Sequence, residues 1–111
     1  MKNINNGDEL LKFLEALSNP HRLKIIAVLS EEKQYVSQLA RDLGISRPLL
    51  YLHLQKLEEV GLIASYMEIS ENGKAMKFYE LIPFQLDINE QMIKSVVPTL
   101  TFKNKKEKGE C

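Results

Sequence analysis

Through the first half of the chain, apolar residues recur at helical spacing; beyond Gly61 they give way to the aromatic and β-branched runs of strands. Leu10, Phe13, Leu14 and Leu17 follow Asn6 and Glu9, which stand three apart as a capping box, so the pattern predicts an amphipathic helix of about three turns. Ser18-Asn19-Pro20 restarts the chain with a polar cap and a proline at a first helical position, where the missing N–H would have been unpaired anyway. A second helix is predicted from Pro20 to Leu29. Leu23, Ile26 and Ala27 cover one side of it and Ile25, Val28 and Leu29 the other, which predicts burial on several faces.

A polar break, Ser30 to Gln34, precedes a short helical pattern carried by Leu39, Ala40 and Leu43 and stopped by Gly44, a residue free to adopt positive φ. Ser46 caps the next helix, whose inward stripe is Leu50, Leu54 and Leu57 and whose end is Gly61. Two short helices joined by a glycine-containing turn make a helix-turn-helix. Leu62–Ser70 and Ala75–Ile82 then read as two antiparallel strands, with Asn72-Gly73 between them suited to a tight turn having two residues at positive φ. Pro83 closes the ribbon. Asp87 and Glu90 form a second capping-box signature before Met92, Ile93 and Val96, a last helix that Pro98 ends or kinks.

The chain has 111 residues, room for one small domain, taken here as residues 6–100 with 101–111 a charged tail of disordered composition. The single cysteine, Cys111, excludes an internal disulfide, a CxxC pair and a cysteine-cluster metal site, so a reducing cytoplasmic setting is expected. No apolar run is long enough to cross a membrane, and no membrane partner is expected. Fifteen Lys and Arg balance fifteen Asp and Glu, so any case for nucleic acid rests on local arrangement. No nucleophile with a neighbouring base and no glycine-rich phosphate loop is present, which argues against an enzyme and against a cofactor.

The order of elements is that of a winged helix-turn-helix, a mainly α fold with a small β-hairpin. The stretches Leu17-Ser18-Asn19-Pro20-His21-Arg22-Leu23-Lys24-Ile25-Ile26, Leu39-Ala40-Arg41-Asp42-Leu43-Gly44-Ile45-Ser46 and His53 to Ile63, with Gly73-Lys74 and Tyr79-Glu80-Leu81 after them, resemble the ArsR-type family of prokaryotic transcriptional repressors over residues 9–82. That resemblance implies a DNA-binding regulator that reads a palindrome-like operator in double-stranded DNA through the helix at 46–60 and a wing at 70–78. It also implies that the terminal helices pair across a two-fold axis. Leu10, Leu11, Leu14, Met92, Ile93 and Val96 supply an apolar surplus there that fits a homodimer interface.

On the second helix of the motif, the inward leucine stripe turns Pro48, Leu52, Gln55 and Glu59 outward, flanked by Arg47, Tyr51, Leu49 and Lys56, with Ser46 at its cap counted among the contacts. Arg47 can bridge guanine O6 and N7 or hold a phosphate, Gln55 can pair with adenine, and the Tyr51 hydroxyl can reach a phosphate. Ser37 and Gln38 on the supporting helix, and Asn72, Lys74 and Lys77 on the wing, complete the expected contact set. Leu52 departs from the polar or basic residue usual in the resembled family. It and Leu49 either meet thymine methyl groups or another protein, unless the helix phase turns Leu49 inward. From Gln34 to Ile82, five basic residues face six acidic ones, so DNA affinity is expected to be modest and salt-sensitive. A protein-interaction module on the same fold is the alternative that this charge balance permits.

The family's metal sites find no ligand set here. Tyr35-Val36-Ser37-Gln38-Leu39-Ala40 lacks cysteine, the last helix lacks histidine, and His21 and His53 read as a helix-start residue and a core flank. No metal is expected. A small-molecule or protein effector remains open, as do the operator sequence and the direction of regulation.

Overall fold

A computed structural model describes residues 4–102. Within them the elements run α1 (Gly7–Leu17), α2 (Pro20–Glu31), β1 (Gln34–Tyr35), α3 (Val36–Leu43), α4 (Arg47–Glu59), β2 (Ile63–Ile69), β3 (Ala75–Leu81) and α5 (Glu90–Val96), followed by a 3-10 turn, Val97–Thr99. Cys111 and the rest of the tail from residue 103 lie outside the described residues. The Asn6 side chain accepts from the Glu9 N–H, and the Glu9 carboxylate accepts in return from Asn5, one residue earlier than a capping box requires. Asn19 caps α2 through both the His21 and Arg22 N–H groups, with Pro20 opening the helix.

The core lies where α1 to α4 meet one face of the sheet, with Phe13, Ile25, Leu39, Leu50, Leu54 and Leu57 essentially removed from solvent. Ile63 and Tyr79 cover it from the sheet, with Leu62 just before β2. Phe84, beyond the last strand, returns to meet Phe13 edge to face, with ring centroids 5.6 Å apart.

Four local expectations need correction. Helix α2 is not buried all round: Leu23 and Ala27 are exposed beside Lys24, because the core receives only the Ile25 and Leu29 side of the helix, with Ile26 and Val28 half-buried. The polar break also conceals a strand. Gln34 and Tyr35 pair antiparallel with Tyr79 and Phe78, giving a three-stranded sheet in the order β1-β3-β2. At the hairpin, only Gly73 has positive φ (82°), and Asn72 does not. The turn is a wider loop closed by Ser70 N–H to Lys74 O at 2.8 Å and Gly73 N–H to Ser70 O at 2.9 Å, so a single left-handed residue suffices. Finally, Asn89 rather than Asp87 caps α5, since its side chain is the one within reach of the Met92 N–H, at 2.9 Å.

Two sets of polar contacts, the second of them buried, set how the layers meet. At the first, the C-terminal segment closes onto the start of α1: the Gly7 N–H donates to Thr99 Oγ1 at 2.7 Å and the Thr101 N–H to Asp8 Oδ1 at 3.0 Å. Leu10 and Val96 are buried within the single chain. At the second, Arg22 on α2 donates through Nε to the Ala16 carbonyl at 2.6 Å, through Nη2 to the Glu15 carbonyl at 3.2 Å, and through Nη1 to His53 Nδ1 on α4 at 3.0 Å. A guanidinium can only donate, so Nδ1 carries no proton and the neutral imidazole holds its hydrogen on Nε2.

Both contacts yield tests. A Cβ at Gly7 would lie 2.5 Å from Leu100 Cδ2 and 2.8 Å from the Val96 carbonyl oxygen, and the backbone atom cannot swing aside. Gly7→Ala should therefore destabilise by about 1–3 kcal/mol despite alanine's higher helix propensity, measured as a lower urea midpoint. Burial first, then the charges of Arg22 and His21, hold the His53 pKa below its ordinary 6.5. The unfolded chain thus takes up this proton before the folded one does. The stabilising contribution is complete above about pH 6.5 and declines as pH falls below it. Unfolding free energy should drop between pH 7.5 and 5.5, and His53→Gln, whose amide oxygen accepts from Arg22 without titrating, should flatten that drop.

Candidate nucleic-acid interface

Helix α3 stops because Gly44 enters the left-handed region (φ 67°, ψ 35°) and its N–H returns to the Ala40 and Arg41 carbonyls. Two residues later Ser46 accepts weakly from the Leu49 N–H at 3.4 Å, and Arg47 and Pro48 begin α4. This turn points the start of α4 away from the core while Leu50, Leu54 and Leu57 anchor its inner side at zero exposure. Pro48, Leu49, Tyr51, Leu52, Gln55 and Lys56 are all exposed, so the helix has the phase that the leucine stripe predicts, Leu49 included.

Between the start of α3, the first turns of α4 and strand β3 lies a cleft of about 190 Å³, lined by Tyr35, Ser37, Arg47, Tyr51, Met76 and Lys77 among others. Residues expected at the interface from three separate elements thus share one concavity. No side chain caps α3, so N–H groups of its first turn are left without a side-chain acceptor beside Ser37. The Lys77 ammonium stands 5.5 Å from the Tyr79 ring centroid and 6.0 Å from that of Tyr51, spanning from wing to helix. Its hydrogen bond with Tyr79 is the main cause that raises its pKa, and burial raises that of Tyr79. Lys77 therefore stays charged at neutral pH.

Other expected residues sit differently. Gln38 is tied within α3, donating to Asp42 at 2.9 Å and accepting from Arg41 at 2.8 Å. Asn72 accepts from the Ser70 hydroxyl inside the wing loop. Lys74 is exposed at the hairpin tip. Lys56 lies on the other side of α4, in a hollow shared with Lys12 and Glu15 of α1 and with Glu59.

Sequence reasoning missed the brace behind the wing. Glu68 accepts from Lys33 at 2.8 Å and from the Tyr35 hydroxyl, and these two bonds, Lys33 first, lower its pKa. Tyr66 stacks on Phe78, and Lys33 stands 4.2 Å above the same ring. The alternation of Glu68 with Met67 along a strand was the only sign of it. His21 and His53, on different helices, come together with ring centroids 5.4 Å apart. Arg22 occupies one His53 nitrogen, and among the described residues no three His, Cys, Asp or Glu side chains gather as a metal site.

Comparison with known proteins agrees with this architecture. Residues 19–65, from the cap of α2 into β2, match the pattern of the arsR family of bacterial regulatory proteins. An HTH-type transcriptional regulator of Methanocaldococcus jannaschii, itself uncharacterized, is 36% identical over 88 residues, covering 79% of this chain and 92% of that one. Among solved structures, HlyU from Vibrio cholerae superposes with a TM-score of 0.61 at 25% identity, covering 83% of this chain and 91% of its own. The transcriptional repressor BigR from Xylella fastidiosa gives a TM-score of 0.59 at 26% identity, with 83% of each chain covered. With this family match, this relative and these superpositions, the chain belongs to the arsR family, as a winged helix-turn-helix regulator that binds DNA.

Proposed function

We propose that the protein acts in the cytoplasm as a homodimeric repressor that occludes a promoter by binding a palindrome-like operator, with no catalytic step. The observation that carries this reading is the cleft in which Ser37, Arg47, Tyr51 and Lys77 converge from α3, α4 and β3. A duplex laid there places α4 in the major groove and the wing tip against the neighbouring backbone. Arg47, in the first turn of α4, is suited to a bidentate contact with guanine. Ser37, Lys77 and the N–H groups at the start of α3 are suited to one phosphate, and Lys74 to another. Tyr51 positions Lys77, Gln55 lies farther along the groove, and Ser46 sets the start of the helix.

Two copies are needed to supply enough contacts, because a single domain offers few cations. Leu11 is 57% and Ile93 46% exposed on the terminal helices, with Leu14 and Met92 half-buried near them. Pairing these surfaces across a two-fold axis sets the recognition helices about 34 Å apart, one turn of DNA. Leu10 and Val96, buried in the single chain, support that surface from beneath. The repressor role follows the Xylella relative, and an effector of small-molecule or protein class would act on the dimer.

Selection on random duplexes should enrich a two-fold symmetric site. On that site Arg47→Ala should cost about 1–3 kcal/mol and relax preference at one base position per half-site. Lys74→Ala should weaken every sequence alike and lower the slope of log affinity against log salt by about one per wing contact. Equal loss on specific and random DNA for Arg47→Ala would reassign that residue to a phosphate. In sedimentation the protein should run at twice the chain mass, while Leu11→Glu combined with Ile93→Glu should give a folded monomer with weakened operator binding; a wild-type monomer at tens of micromolar, on the order of ordinary assay concentrations, contradicts the dimer.

A further inference from the structure

The outward surface of α4 is poor in hydrogen-bonding groups where a recognition helix usually has them. Leu49 and Leu52 are 40% and 60% exposed, one helical turn apart, with Pro48 and Tyr51 beside them. Arg47 before them and Gln55 and Lys56 after them offer donors suited to base edges. The two leucines make a continuous apolar strip, since side chains three apart on a helix are neighbours. They have no role in the core, which Leu50, Leu54 and Leu57 already fill from the opposite side.

In the major groove each base pair shows donors and acceptors, and the only apolar group there is the thymine C5-methyl. A leucine pressed against a cytosine or adenine amino group strips its water and returns no acceptor, which is unfavourable. Against a thymine methyl it removes apolar surface from water on both sides. Discrimination therefore follows from the leucine itself, without a hydrogen bond.

We infer that Leu52, with Leu49 behind it, is a specificity-determining residue that reads thymine methyl groups, so that each half-site carries one or two thymines between the contacts of Arg47 and Gln55. The strip stands on the same exposed helix, α4, that sends Arg47 and Tyr51 into the cleft, while Leu52 itself borders a hollow with Gln55, Lys56 and Glu59, so a duplex that takes α4 into its major groove meets both. The inference rests on the operator reading proposed above.

The test replaces thymines of the selected site one at a time by deoxyuridine, which removes the methyl and keeps every hydrogen-bonding group. Affinity should fall about three- to tenfold at one or two positions per half-site, the scale of one buried methyl. In Leu52→Ala, which should fold normally because the side chain is exposed, uracil at one of those positions should no longer matter, and the ratio of selected-site to random-DNA affinity should fall. A site selected normally but indifferent to uracil at every position overturns the methyl reading and leaves the operator reading standing. Failure to enrich any sequence overturns the operator reading and this inference with it. Wild-type selectivity and uracil sensitivity in both Leu52→Ala and Leu49→Ala would assign the strip to a protein contact instead.

Discussion

One buried guanidinium fixes the relation between α4, the second helix of the helix-turn-helix, and the rest of the domain. Arg22 satisfies two carbonyls at the end of α1 and one nitrogen of His53 in the middle of α4, and it is nearly excluded from solvent. A charge so placed is tolerated only if its donors are occupied, so the three helices cannot slide without orphaning it. Apolar contacts alone accept small shifts of one helix over another, whereas hydrogen bonds with three separate acceptors do not. The direction in which α4 projects is therefore set on the side opposite its exposed surface.

A second constraint sets the wing. Strand β1 is only Gln34–Tyr35, yet it runs directly into α3, and its pairing with Phe78 and Tyr79 ties the start of that helix to β3. The cleft between Ser37 and Lys77 has its width because of this pairing. Lys33, Tyr35 and Glu68, gathered over Phe78 on the far face of the sheet, hold it there. The exposed Lys33–Glu68 ion pair contributes little by itself. The covered aromatic ring beneath it contributes more, by the apolar surface it removes from water.

Charge places the interface in an uncommon regime. With five basic and six acidic residues over 34–82, attraction to the backbone is weak, and the cations that do line the cleft, Arg47 and Lys77, are few. Local geometry must then do what bulk charge does elsewhere. Oriented N–H groups at the start of α3, a lysine held over two tyrosine rings and the exposed apolar strip of Leu49 and Leu52 each act at short range, where shape decides the energy.

Much of this was legible in the chain order of residues. Asn6, Asn19 and Ser46 announce helix starts because a short polar side chain there can accept a backbone N–H, and Gly44 and Gly61 announce stops because positive φ is open to them. The stripe Leu50, Leu54, Leu57 gave the phase of α4, and through it the outward set from Arg47 to Lys56. Asp87 misled because two cap candidates stand two residues apart and only backbone direction selects Asn89. What no local pattern contains is pairing between distant segments: β1 with β3, Lys33 and Tyr35 with Glu68, Arg22 with His53, Gly7 with Leu100. Periodicity determines which side of each element turns inward, since that is a property of spacing along one element. Which partner it meets there depends on closing long loops against the burial gained, and only the packed tertiary structure decides that balance.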